Sequence, residues 1–430
     1  MKKMFIIMAV AVIAAYSANA QQSVDLSALQ QQLSELSAKI AQLEKANAEK
    51  TALVEQTAQV ENANAAKIAQ IEQENAKKTW SIEQLQAEGK KNMAGAWAND
   101  IKLKGDIRAR YEKREVSDAT TAQQKDRQRI RLRLGAYGKI NDQADFGIRL
   151  ATGGSRTSSN VDMNDNAGMK NIYLDQAYVD MHPEQIGGAH VFLGKMPQPW
   201  MTAGTGLIWD TDLNPEGVAV TYEKQLLPCK LMANAGTFVL TDNLSDDIRL
   251  HSGQVAVEKK IGNTVLTLGA SDYFFQNAEN VKVADSLTGK LGATANTPNG
   301  QFNLVEGFGS YGFNIGKLPV LLNGQYVVNT DAANKEEDTA YLAGVTVGKA
   351  KDKGTWEIGY SYRDIGRDAV VAGLNDSDFA GETWVGCYGH KLNGKYQIAK
   401  NLAADLAYIL STDYKGRDAN TLQADLNFKF

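Results

Sequence analysis

Two hydrophobic periods divide this chain. Residues 24–88 repeat every 3.5 residues, and residues 101–430 alternate every second residue. In one heptad register the a positions read Leu26, Leu33, Ile40, Asn47, Val54, Glu61, Ile68, Asn75 and Ile82. The d positions read Leu29, Leu36, Leu43, Lys50, Thr57, Asn64, Ile71, Lys78 and Leu85. Apolar seams at both ends stay in phase across a polar middle, and neither Pro nor Gly interrupts them. A seam held that long predicts a coiled coil rather than a globular helix. Continuous, it would reach roughly 95 Å at the helical rise. Asn47 and Asn75, polar at a positions, are expected to set register and strand number at a cost in stability.

Residues 89–100 break the heptads from Gly89 on and read as a linker. Beyond them the period is two. Leu422, Ala424, Leu426, Phe428 and Phe430 alternate with Thr421, Gln423, Asp425, Asn427 and Lys429. Trp356, Ile358, Tyr360 and Tyr362 alternate with Glu357, Gly359, Ser361 and Arg363. One apolar, aromatic face and one polar or small face is the lipid-out, lumen-in pattern of a membrane strand. Sixteen such segments start near residues 101, 127, 143, 171, 188, 216, 229, 249, 263, 302, 317, 339, 354, 383, 401 and 420. Long connectors are read near 114–126, 152–170, 197–215, 241–248, 275–301, 330–338, 364–382 and 412–419, with short turns between them. Long loops on one rim and short turns on the other predict an all-β transmembrane barrel of about 16 antiparallel strands over 101–430. Both barrel ends then fall on the short-turn, periplasmic side, and the coiled coil at 21–88 is expected to form a periplasmic stalk.

Composition agrees with that reading. Mean hydropathy is −0.35, which suits a barrel because only alternate residues meet lipid. Lys2 and Lys3, the apolar run Met4–Ala15 and Ala18-Asn19-Ala20 follow the order of a secretory signal peptide, expected at 1–20. The chain holds 46 basic and 50 acidic residues; without Lys2 and Lys3 the balance is 44 to 50, or −6. That excludes nucleic acid as a partner, since phosphate binding needs a basic surface. An amphipathic strand closing on Phe428 and Phe430 is similar to the C-terminal assembly signal of bacterial outer-membrane proteins. Cys229 and Cys387 are read as separate thiols on strands, too few for a disulfide scaffold.

A barrel of sixteen strands is wide enough for an aqueous channel. By alternation Ile107, Ala109 and Tyr111 face lipid, so Lys104, Arg108 and Arg110 face the lumen. The same rule turns Arg129, Arg131, Arg133 and Arg149 inward. Arginine stays charged, so six of them in one sector set a positive field for passing ions. The alternative is wall packing, with Asp106, Glu112 and Asp145 as their partners. The third long connector carries Pro197, Pro199, Trp200, Trp209, Asp210, Asp212 and Pro215, a composition suited to an ordered loop. Folded inward, it would set Asp210 and Asp212 against the arginines as a constriction. The remaining chemistry is thin. Asp162 to Gly168 lacks the sixth-position glycine of a calcium loop. Asp376 and Asp378 read as solvated loop acids, and the four histidines lack metal-ligand spacing. No nucleophile motif appears, so neither enzyme activity, nor a metal, nor a cofactor is expected.

The runs Asp126–Gly154, Leu174–Pro183, Gly194–Trp200 and Leu207–Gly217 resemble the bacterial "putative porin" family, which is distantly similar to phosphate-selective porins. The resemblance implies a passive diffusion pore for small hydrophilic solutes and ions, set in outer-membrane lipid and commonly a homotrimer. It transfers no substrate. The heptads resemble stalks that precede some porin barrels, without the peptidoglycan-binding repeat found before some of them. A periplasmic or peptidoglycan contact through the stalk therefore stands as a second function class, an envelope tether. An open, conducting lumen separates the first class from the second.

Overall fold

The computed structural model describes residues 26–92, 101–117, 122–164, 166–204, 206–242, 247–278, 296–297, 300–380 and 384–430. The expected leader at 1–20, and the linker from 93 on, lie outside them. One unit is a single helix, α1 (Leu26–Asn92). It continues through Gly89, where an end was expected. A helical glycine costs about 1 kcal/mol against alanine, too little by itself to stop a helix of this length. Leu33, Leu36, Ile40, Leu43, Ile68, Ile71 and Ile82 are all more than half exposed. Among the described side chains of α1, the heptad seam is uncovered.

The second unit is the barrel. Its strands are β1 (Lys102–Ser117), β2 (Ala122–Asn141), β3 (Ala144–Thr152), β4 (Val161–Asp162), β5 (Ile172–Met181), β6 (Ala189–Lys195), β7 (Glu216–Leu226), β8 (Cys229–Thr241) and β9 (Ile248–Ile261). They continue as β10 (Thr264–Gln276), β11 (Phe302–Ile315), β12 (Leu318–Asn329), β13 (Thr339–Gly348), β14 (Trp356–Ile365), β15 (Cys387–Ala399), β16 (Leu402–Thr412) and β17 (Asp418–Lys429). β4 is a two-residue strand on β2 within a loop. The other sixteen form the wall, each antiparallel to its neighbours, and β1 pairs with both β2 and β17 to close it. Among the described residues every expected strand is present. The largest boundary difference is β2, which begins at Ala122 rather than near 127. The expected long connector 114–126 is therefore mostly ladder, running to Ser117↔Ala122. Gln123, Gln124, Lys125 and Asp126 are polar on both faces, so this part of the hairpin carries no hydrophobic alternation.

The outward face keeps its apolar residues exposed: Ile107 44%, Ile148 45%, Ile358 51% and Leu406 54%. The closing seam is sealed twice. Gly105 N–H donates to Phe430 O at 2.9 Å, and Phe430 N–H donates back to Gly105 O at 3.0 Å. A Cβ on Gly105 would lie 2.5 Å from the Phe430 ring, so only glycine lets that ring cross the seam. Inside, Arg110 Nε and Nη2 donate to the two Asp425 oxygens at 2.7 and 2.8 Å. Both side chains are under a tenth exposed. Cys229 and Cys387 are free thiols.

The lumen holds a hydrophobic core. Two loops supply it: L3 (196–215), between β6 and β7, and L7 (366–386), between β14 and β15. Trp200, Leu207, Ile208 and Trp209 of L3 pack with Val370, Val371, Leu374 and Phe379 of L7 against Tyr273, Phe275, Phe302 and Leu304 of the wall. Trp200 and Trp209 stack 4.3 Å apart. Each fully buried aliphatic or aromatic side chain contributes about 1.5–3 kcal/mol. Polar anchors fix the loops: Trp200 Nε1 donates to Ser252 Oγ (3.0 Å) and Asn323 Nδ2 to Ala203 O (2.6 Å). For L7, Asn329 Nδ2 donates to Asp368 O at 2.7 Å, and Asn296 Nδ2 to Arg367 O at 2.7 Å.

Replacing Arg110→Met leaves Asp425 buried without the cation that holds both its oxygens, a change that costs about 3–5 kcal/mol. The expected result is a lower temperature for loss of the compact, heat-modifiable band on gels. Arg110→Met with Asp425→Leu should recover much of it. An unchanged transition in the single variant would remove the pair from the seam's stability.

Candidate functional site

The β1–β2 register sets arginines side by side. Arg108 faces Arg131 across the ladder and Arg110 faces Arg129, while Asp106 faces Arg133. Like charges directly opposite one another are destabilising, so carboxylates must lie between them. Arg131 holds Asp106 at 2.7 Å and Arg133 holds it at 2.8 Å. Arg129 reaches Asp162 at 2.8 Å and Glu112 at 3.3 Å, and Arg127 also pairs with Glu112. Arg149 pairs with Asp175 and reaches Asn214 Oδ1 at 3.4 Å. Arg108 differs: its Nε and Nη2 donate to Asn160 Oδ1 at 3.2 and 2.6 Å. Asp145, expected beside an arginine, lies instead 3.5 Å from His182 Nε2, because its register partners are Lys139 and Asp180.

Opposite these arginines three loops meet: L2 (153–171), L3 and L7. Asp210 N–H donates to Leu374 O at 2.7 Å, and Asp376 N–H to Gly206 O at 3.1 Å. Gly206 has φ +81°, and a Cβ there would sit 2.5 Å from Asp376 Cβ. Ser377 N–H donates to Asp210 Oδ2 at 3.0 Å, and Ser377 Oγ to Thr157 O at 2.9 Å. Ser159 donates from N and Oγ to Asp212 Oδ2 at 3.0 and 2.9 Å. Besides Asp162 of L2, two carboxylates from L3 and L7 reach the basic face: Asp378 to Arg110 at 3.3 Å and Asp212 to Arg133 at 3.5 Å. Between face and loops lies a polar cavity of about 230 Å³, bordered by Arg108, Arg110, Arg131, Asp210, Asp212 and Asp376, among others.

The expected residues thus separate. Arg108, Arg110, Arg131, Asp210 and Asp212 border the cavity, and Arg129, Arg133 and Arg149 are held beside it by carboxylates. Lys104 lies apart, 5.5 Å from the Tyr137 ring. Trp200 and Trp209 are core residues, 6% and 3% exposed, rather than cavity residues. Phe428 and Phe430 lie on the exposed outer face. Asn47 and Asn75 belong to α1, where their carbonyls accept from Thr51 and Thr79 at 2.8 Å. Asp376 and Asp378, expected as solvated acids, are ion-paired: Asp376 with Arg363 at 3.1 Å and Lys391 at 3.4 Å, Asp378 with Arg110. The sequence reading missed L7. Its run Ala369-Val370-Val371-Ala372 was the available signal, because an external loop has no use for it.

Burial and the neighbouring Asp376 push the Asp210 carboxyl up to about 8. Burial also opposes ionisation of Asp212, but the Ser159 N–H, Arg131 and Arg133 outweigh it and hold Asp212 below the usual range. For Asp378, Arg110 and Gln423 overcome burial and hold the carboxyl low. The junction therefore keeps one neutral acid among ionised ones.

A family model described as "Putative porin" matches residues 117–303 and 310–430. The chain belongs to this porin family. It is an outer-membrane β-barrel channel for solute diffusion. No curated protein matches it. OprB of Pseudomonas putida shares the porin's fold with a TM-score of 0.51 at 12% identity, over 77% of this chain and 94% of that one. OmpF of Salmonella typhi gives a TM-score of 0.49 at 12% identity, over 77% and 97%. The outer-membrane channel DcaP of Acinetobacter baumannii gives 0.44 at 14%, also over 77% and 97%. At these identities the likeness is one of fold.

Asp210 supplies a pH test in this porin. Its folded value lies above the ordinary carboxylate value, so the protonated form contributes stability that is present at acid pH and lost as pH rises through about 8. From about pH 7 to about pH 9 the L3–L7 junction should loosen and the lumen gain a negative charge. Reversal potentials in a salt gradient should shift toward cations over that range, and Asp210→Asn should flatten the shift. A shift that persists in Asp210→Asn would assign it to another group.

Proposed function

We propose that solutes cross the barrel between the arginine face of β1–β2 and the L3–L7 insert, which narrows the channel. The carrying observation is the polar cavity between Arg108, Arg110 and Arg131 on one side and Asp210, Asp212 and Asp376 on the other. Fixed charges of both signs in a narrow aqueous passage favour small hydrophilic solutes and ions over apolar ones. The hydrophobic core behind L3 supports a constriction that stays in place, because moving the loop would expose Trp200 and Trp209. Planar-bilayer recording tests this. Wild-type protein should give steady steps. Trp209→Ala removes a core side chain at a cost of about 3–5 kcal/mol, and should give larger, noisier steps. Absence of conductance from folded barrels would overturn the open-pore reading.

A second reading concerns α1. Its exposed seam of Leu33, Leu36, Ile40 and Leu43 supports association with further helices, and a homotrimer is the arrangement we propose. β1 starts on the rim of short turns, which supports a periplasmic stalk, from which α1 can reach peptidoglycan or a periplasmic partner as an envelope tether. Leu36→Lys with Ile40→Lys charges the seam at adjacent d and a positions. Chemical cross-linking of the full chain should then lose its trimer band. A trimer band that survives would assign oligomerisation to the barrel.

A further inference from the structure

The arginines of the basic face are not equivalent. Among the described ladder residues, Arg110, Arg129, Arg131, Arg133 and Arg149 each hold a carboxylate within 3 Å. Arg108 does not. Its two hydrogen bonds go to the neutral amide oxygen of Asn160. Its nearest carboxylate, Asp425, lies 3.7 Å from Nη1, beyond hydrogen-bond reach, and is already held at both oxygens by Arg110. The register explains the difference. Arg108 stands opposite Arg131 on β2 and Asn427 on β17, so neither cross-strand neighbour is acidic. On its own strand, Asp106 is held by Arg131 and Arg133. Arg108 therefore borders the cavity with a charge that no hydrogen-bonded anion of the protein offsets.

We propose that Arg108, held in place by Asn160, is the station at which the channel receives the anionic group of a permeating solute, a small carboxylate above all. The Nη edge of a guanidinium presents parallel N–H donors that match a carboxylate. Asn160 fixes the side chain through its Nε edge without neutralising it. The cavity that Arg108 borders is also lined by Thr157, Ser158 and Gln423, and by the wall carboxylates Asp405 and Asp425. The aspartates of L3 and L7 border the far side, where they oppose entry of an anion without a compensating positive end. The station thus selects the charged end of a small solute rather than a free polyanion.

The inference rests on the open-channel reading, so its test has a readout that does not need conduction. Chloride NMR line broadening on the folded, detergent-solubilised full chain reports anion binding, and acetate competes as the carboxylate probe. Arg108→Gln should weaken acetate displacement about tenfold, the loss expected for a hydrogen-bonded charge. Asn160→Asp keeps the arginine but gives it a carboxylate, and should produce the same loss. Lys230→Gln removes one positive charge from β8, six strands round the ring from Arg108 and outside the cavity, where Lys230 pairs with Glu223 at 2.6 Å, and should leave displacement near wild type. Equal weakening in Lys230→Gln would assign the effect to the general field and overturn the station. Full displacement in Arg108→Gln would overturn it as well. Acetate no better than nitrate as a competitor would overturn the carboxylate preference. Bilayer recordings on the same samples separate the two readings: anion binding at Arg108 without conductance removes the pore and keeps the site, while conductance without binding does the reverse.

Discussion

In hydrocarbon an unpaired peptide group costs several kcal/mol, so strands can cross a membrane only if the first and last of them pair. Here that pairing is β1 with β17, and much of the interior chemistry is arranged around it. Gly105 gives up a side chain so that Phe430 can reach across. Arg110 and Asp425 meet over the same junction, one from each end of the barrel sequence. Most of the basic face belongs to β1 and β2, and one of its counter-ions, Asp425, comes from β17, the strand that closes the ring.

The interior answers a second constraint. A register that sets Arg108 against Arg131 and Arg110 against Arg129 cannot stand alone. Asp106, Glu112 and Asp425 compensate from the wall, and Asp212 and Asp378 from the loops. Those loop carboxylates reach the arginines only because L3 and L7 are held by an apolar core on the opposite wall. Hydrophobic packing on one side of the lumen thus fixes the electrostatics on the other. The same packing keeps Asp210 buried beside Asp376, which explains why one acid of the group resists ionisation.

Alternation placed the strands well, because a membrane strand has a lipid face that must be apolar at every second residue. It failed where that requirement lapses, at Gln123 to Asp126, where the hairpin continues with polar side chains on both faces. The inward direction of Arg108 and Arg131 was legible from the same rule. Their partners were not. Asp425 lies 315 residues from Arg110, and no local period links them. The core role of Trp200 and Trp209 also escaped, because a loop's composition shows that it is ordered without showing which of its residues face a core. L7 was misread for the opposite reason: its acids, Asp376 and Asp378, drew notice and its valines did not.

The L3–L7 insert has a mechanical side. A wall one strand thick bends easily between hydrogen-bonded neighbours, and pressure from surrounding lipid tends to flatten such a ring. In this barrel the insert is glued by its apolar side to strands on one flank and tied by Asp212 and Asp378 to arginines on the other. It spans the ring as a cross-brace does. Resistance to crushing then comes from that apolar core and those ion pairs together, so a mutation that loosens the insert also softens the ring.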